Sequence, residues 1–480
     1  MNTVVVSSTM NIDGREFLLA DVSRGMGQVG VLKSNSAPGS DTDVFYVESE
    51  PVFSMSKHNA FDPAADKLIA QVSGIEKCSD YVKTRLSVVG DNFFLFNQGL
   101  ARSVTPVLEL LTEGLYVVHE SKMIPSDGAG NFFWNAYNIR HEVAGSADKN
   151  SVIGDANFSP CFLIPCEQAA SYQPKKMSVL SEKIEKGKIS GGVAYHVTGM
   201  FSALLDGHHT ATACLLNDKD FKCLVIEPLN DVVYDSEENP GKKKIIALSC
   251  PFVKIPIGDL PENMLERFLV TRKYARPATY GEIKSKAAKS VKTTSKRAFP
   301  AAVYEKAAQL PDCAMAESAA GVNNLSEEQL GALLAGEVKY DDKIIISSNY
   351  YSSVTTACNY LQTANFARFL TFALDIMRNE GLSAAHKYVA ERLLNIMHPS
   401  VHEYFASVAA EKGETDGFVP EIAHKYIKRW EEHREIKRHE EEAEMHARKK
   451  RHETLQAVSE TRGIATLEAA VRDIGNIPKK

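Results

Sequence analysis

The run Ala203-Leu-Leu-Asp-Gly-His-His-Thr-Ala-Thr-Ala-Cys-Leu-Leu216 constrains this chain more than any other stretch. An apolar series stops at Asp206-Gly207, a paired imidazole follows, and Thr210 opens a segment of small and apolar residues suited to a buried helix. The order dictates strand, tight turn, helix. Gly207 tolerates backbone angles that other residues resist, so amides at the helix start can point together at an anion. Asp206 can ligate magnesium or accept from a substrate hydroxyl, and His208 and His209 can donate to phosphate or shuttle protons near neutral pH. A plainer alternative has Asp206 capping the helix and one histidine satisfied within the turn.

The neighbouring sequence extends the pattern on both sides. Phe162-Leu-Ile-Pro-Cys166 predicts a short strand, Met177 to Lys186 an amphipathic helix ended by Gly187, and Gly192 to Val197 another strand. Met200 to Leu205 leads into the turn, and Phe221-Lys-Cys-Leu-Val-Ile226 closes the unit as a strand.

This order, with the helix end Leu180 to Gly187, the Asp206-Gly-His-His turn and the Ala-rich helix after it, resembles the ParB N-terminal/sulfiredoxin-like superfamily over residues 160–229. In that superfamily a turn of this kind binds nucleotide phosphate at the start of the same helix. The resemblance implies a nucleotide ligand (ATP, ADP or CTP) with magnesium as a possible companion, and site residues Asp206, Gly207, His208, His209 and Thr210. Through a branch that includes small-molecule kinases, it also implies that Asp206 and His208 position substrate or metal while Thr210 and the helix-start amides hold phosphate. Two departures matter. Thr210 stands where an arginine usually grips phosphate, so a cation must come from elsewhere, with Lys222 or Lys242-Lys-Lys244 as candidates. His208 replaces the sulfiredoxin nucleophilic cysteine, which argues against sulfinic-acid reduction.

The rest of the chain predicts an α+β protein: a mixed α+β region over 1–145, the central α/β unit with following strands over 155–260, a basic helix or linker over 261–300, a helical region over 301–415 and a long charged helix and tail over 420–480. In the first region, strands are expected at Glu16–Ala20, Asp43–Val47, Arg85–Val89 and Leu115–His119, and a turn running into an aromatic strand at Asp127–Tyr137. Glycines 25, 27 and 30 match a dinucleotide fingerprint, but Val31 to Gly39 turns where that motif requires a helix, so a glycine-rich hairpin is expected. Later, Ser326 offers a helix cap, and helical stretches are expected at 350–378, 383–397 and 400–412. His398 and His402 lack the glutamate that a zincin helix needs, because Pro399 holds that place.

Net charge −6 excludes wholesale nucleic-acid coating, although the segment from Arg272 to Arg297 is strongly basic. Met1 to Ser8 carries no signal-peptide pattern and no apolar run approaches a membrane span, so a cytoplasmic location with reduced thiols and no membrane partner is expected. Three functions stay open: nucleotide binding with phosphoryl transfer or hydrolysis on a nucleotide or phosphorylated small molecule, a scaffold that binds a protein partner through the C-terminal helices, and nucleic-acid binding through 272–297.

Overall fold

The structure is a computed structural model that describes residues 3–12, 15–32, 42–56, 67–87, 103–128, 130–135, 138–141, 162–187, 191–229, 231–235, 244–250, 253–261, 264–266, 268, 280–289, 299–320, 325–338, 349–410 and 417–475. The fold is α+β, with strands concentrated before residue 257 and, among the described residues, helices without strands after residue 300. By chain contacts it divides into two units, residues 1–396 and 397–480.

A seven-stranded mixed sheet organises the first unit. Its order is β1 (Val4–Ile12), β2 (Arg15–Ser23), β7 (Gly114–Met123), β12 (Phe221–Pro228), β10 (Gly192–Thr198), β11 (Phe201–Asp206) and β9 (Phe162–Pro165). Strands β10 and β11 form an antiparallel hairpin, β9 runs parallel to β11, and β12 runs parallel to β10. Strands from both sides of residue 150 thus share one sheet, because β7 pairs along β12 from Tyr116 opposite Pro228 to Met123 opposite Phe221. The segments 1–145 and 155–260 have a common core.

Both faces of this sheet are covered, so its central strands are predominantly apolar, with His119 of β7 and Glu227 of β12 buried as a pair and Lys122 and Lys222 exposed toward one end. On one face Val118, Val193, Ala203 and Ile226 meet Phe45, Val47 and Phe53 from a five-stranded sheet of β3 (Val29–Leu32), β4 (Thr42–Val47), β5 (Glu50–Ser56), β6 (Lys67–Gln71) and β8 (Asn138–His141). On the other face Leu163, Ala194, Leu204 and Val225 pack against α2 (Pro174–Glu185), α3 (His208–Leu216) and α5 (Ala301–Ala307). Further along the same sheet, Leu19 and Val117 meet Leu248 and Ile255 of a three-stranded sheet, β13 (Asp231–Tyr234), β14 (Ile245–Cys250) and β15 (Val253–Pro256).

The structure revises several local expectations. Residues 85–87 belong to α1 (Asp80–Ser87), whose buried Val82 and Leu86 are four apart and make a helical stripe. Phe133 to Asn135 forms a 3-10 turn in place of a strand, and Phe132, Phe133 and Trp134 are buried core residues. The glycine loop is followed by strand β3, as the absence of a helix signal requires. It is a crossover between two sheets rather than a hairpin, with Gly27 N donating to Leu111 O at 3.0 Å. Residues 88 and 89, 136 and 137, and most of the basic stretch lie outside the described residues. Within that stretch α4 (Tyr280–Lys289) places Lys286 against Glu50 and Glu282, at 2.7 and 3.1 Å.

The helices that complete the first unit are α6 (Cys313–Ala320), α7 (Glu327–Leu334), α8 (Tyr350–Ala364), α9 (Phe366–Arg378) and α10 (Ser383–Leu393). Ser326 caps α7 in a reciprocal box with Gln329. The stretch 350–378 is two helices, not one. Asn365 leaves helical geometry, and its side chain accepts from Arg368 N to start the second. The second unit holds α11 (Pro399–Ala410) and α12 (Phe418–Gly475). They pack through Phe405 on Tyr426 and a His402–Trp430 stack with ring centroids 4.5 Å apart. His402 is therefore a packing residue, and α12 occupies most of the 420–480 span expected for the long charged helix and tail.

Candidate functional site

The strand–turn–helix order forms as the residues dictate. Strand β11 ends at Asp206, Gly207 sits at φ +104° in the left-handed region, and α3 starts at His208. A side chain at Gly207 would stand 2.8 Å from Gly192 Cα, and one at Gly192 would stand 2.5 Å from the Asp206 carbonyl oxygen. Two glycines are thus required for the hairpin backbone to press against the turn. The close approach fixes where the first turn of α3 points, and its N–H groups have no partners within the helix.

The paired histidines do not act as their chemistry alone suggested. His208 is buried, and its Nε2 accepts from the backbone N–H of Cys166 at 3.0 Å and of Glu167 at 3.1 Å. His209 Nε2 accepts from Gln173 N–H at 2.9 Å. An Nε2 that accepts carries no proton, so both rings are held neutral with the proton on Nδ1. Burial pushes the His208 pKa well below its usual value, with the charges of His209 and Lys176 adding to the effect. Burial followed by Lys176 takes His209 down to about 4. The expected proton shuttling near pH 7 is opposed on both counts. The imidazoles instead staple the connection between β9 and α2 onto the start of α3. Trp134 packs on both, with ring centroids 5.2 and 4.6 Å away.

Asp206 is half-buried at the lip of the turn. The parallel register of β9 and β11 pairs Pro165 with Leu204, and in the bend that follows Glu167 lies near enough to Asp206 to feel its charge. Ligands of open α/β sheets collect at such strand ends. Glu167 has a side chain 22% exposed, and burial, then the charges of Asp206 and Glu76, raise its pKa to about 7 against a smaller opposing pull from Lys176. Glu76 is occupied in organising the same loop. Its Oε1 accepts from Gln168 N at 2.6 Å and from the Ser171 hydroxyl.

The cation question also has a positional answer. Lys222 pairs with Glu120, and Lys242 and Lys243 lie outside the described residues. Lys176, exposed on the first turn of α2, is the lysine whose charge reaches His208, His209 and Glu167. Thr210 is buried in the first turn of α3. Among the described residues no group of three His, Cys, Asp or Glu side chains is arranged to hold a metal.

Glu167 and Lys176 are thus neighbours that sequence inspection passed over. The available signal for Glu167 was its place two residues beyond the end of a strand adjacent to the one ending in Asp206. The described cysteines are buried and outside disulfides, and burial, with the charge of Asp220 adding to it, pushes Cys214 up to about 12, which keeps it a thiol. No described helix is long and apolar enough to cross a membrane. No protein-family model, curated protein or solved structure matches the chain.

Proposed function

We propose that the Asp206-Gly207 turn binds the phosphates of a nucleotide, and that the protein is a cytoplasmic phosphotransferase or nucleotide hydrolase with a core of ParB/sulfiredoxin-like type. The observation that carries this reading is the nearness of Asp206 and Glu167 beside a glycine-launched helix start. Backbone amides at His208, His209 and Thr210 and the ammonium of Lys176 meet phosphate, the lysine standing in for the arginine that Thr210 replaces. Asp206 accepts from the hydroxyl of the acceptor. Glu167 takes the acceptor proton as the new oxygen–phosphorus bond forms and the bond from phosphorus to its bridging oxygen breaks, which releases the nucleoside diphosphate. A carboxyl group that titrates near neutrality suits that role.

Titration calorimetry with ATP, ADP, CTP and GTP, with and without magnesium, tests the binding. A dissociation constant at or below about millimolar for at least one of them is expected, in the range of ordinary substrate affinities. Absence of heat with all four at millimolar concentration would sink the proposal. The scaffold alternative draws support from α12, whose Ile436 and Met445 are 52% and 67% exposed. Light scattering that gives the same mass with and without 418–480 counts against it as a self-assembly element.

A further inference from the structure

The His208 ring holds more than the backbone. Its Nε2 is taken by two main-chain donors, so its proton resides on Nδ1. That Nδ1–H is shut off from solvent and has no hydrogen-bond partner among the described residues. The Glu167 Oε1 atom stands 3.6 Å from it, just outside hydrogen-bond range. A buried donor left unmade costs about 1–3 kcal/mol. Its neighbours on the other sides are the rings of Trp134 and Phe133, with centroids 5.2 and 6.1 Å away, which offer no strong acceptor.

We propose that His208 is a positioning residue for Glu167, gripping its main-chain N–H through Nε2 and its carboxylate through Nδ1–H, so that one locked imidazole fixes both the place and the orientation of that side chain. The contact needs a movement of a few tenths of an ångström by a side chain that is not fully enclosed. Because Nε2 is occupied, the ring cannot take up a proton without breaking two backbone hydrogen bonds, so the donor stays a donor. The role assigned to Glu167 in transfer rests on the proposed function; the grip itself does not.

Nitrogen-15 NMR of the imidazoles in the full chain at pH 8, without ligand, compares wild type with Glu167→Gln. The expected result is a His208 spectrum with the proton on Nδ1 in both, and an Nδ1–H proton resonance markedly further downfield in wild type, where the acceptor is charged. Identical Nδ1–H resonances, or a proton on Nε2, overturn the proposal. Two variants supply the catalytic readout. Gln at 208 keeps an acceptor and a donor, whereas Leu keeps bulk alone. His208→Gln is expected to retain kcat within about threefold, and His208→Leu to lose it by about tenfold or more with little change in KM for nucleotide, as misorientation of a proton acceptor requires. Equal kcat in wild type and His208→Leu also overturns it. If His208→Leu does not fold, the NMR comparison decides alone. If no nucleotide binds, the proposed function fails while the NMR result still decides the grip.

Discussion

At the scale of single residues, burial and pairing decide which groups stay chemically active. His208 and His209 look reactive in the sequence and are neutral staples in the fold, whereas Glu167 looks ordinary and is held near neutrality. This makes a stability prediction with a definite sign. The folded state raises the Glu167 pKa from 4.5 to about 7, so the folded protein binds the proton more tightly than the unfolded chain does. Below pH 4.5 the group is protonated in both states and contributes no penalty. Between 4.5 and 7 the penalty grows, and above 7 it is complete, at most about 3 kcal/mol. Glu167→Gln should therefore raise the stability measured by denaturant unfolding at pH 8 and leave it nearly unchanged at pH 4. An equal gain at both pH values would contradict the raised pKa. The sequence gives no warning of such environments. The same holds for Glu227, fully buried yet held in its charged form: burial is the largest single effect and opposes the charge, but His119, 2.7 Å away, His196 and a hydrogen bond from Cys250 together outweigh it. Glu227 and His119 are 108 positions apart in the chain.

At the scale of elements, legibility follows how local the determining interactions are. From Phe162 to Ile226 each predicted strand and helix is present, because period, glycine and helix-stop signals lie within a few residues of what they control. Even the resemblance rests on that local order. The misreadings sit where tertiary context wins: Arg85, Leu86 and Ser87 end a helix whose buried stripe is Val82 and Leu86, and aromatics at 132–134 coil into the core. The turn is the most constrained local feature. Gly207→Ala introduces a side chain at φ +104° and within 2.8 Å of Gly192 Cα, backbone that cannot move aside cheaply. A loss of about 2–4 kcal/mol is expected from strain and overpacking together. The expected outcome is a lowered unfolding midpoint and loss of nucleotide binding. A variant with unchanged midpoint would mean that the backbone contact is looser than these distances imply.

At the scale of the molecule, the sequence indicates where composition shifts but not which distant strands share a sheet. Residues 1–145 contribute β1, β2 and β7 to the sheet that carries the site, so the site's floor is assembled from segments that read as separate domains. Sheet neighbours β7 and β12 are joined by about a hundred intervening residues, and such long-range pairing leaves no periodic trace. The second unit, by contrast, begins after Ile396, and its described residues form helices and supply none of the site residues: Asp206, Gly207, His208, His209, Thr210, Glu167 and Lys176 all lie within 1–396. A chain ending at Ile396 should therefore bind nucleotide with the same affinity as the full chain, within about twofold, since binding free energy follows the groups that touch the ligand. Calorimetry on both chains, with circular dichroism to establish that the shorter one is folded, makes the comparison. A tenfold weaker affinity in a folded shorter chain would place part of the binding energy, about 1.4 kcal/mol, in residues 397–480 and make the long helix a participant in the site.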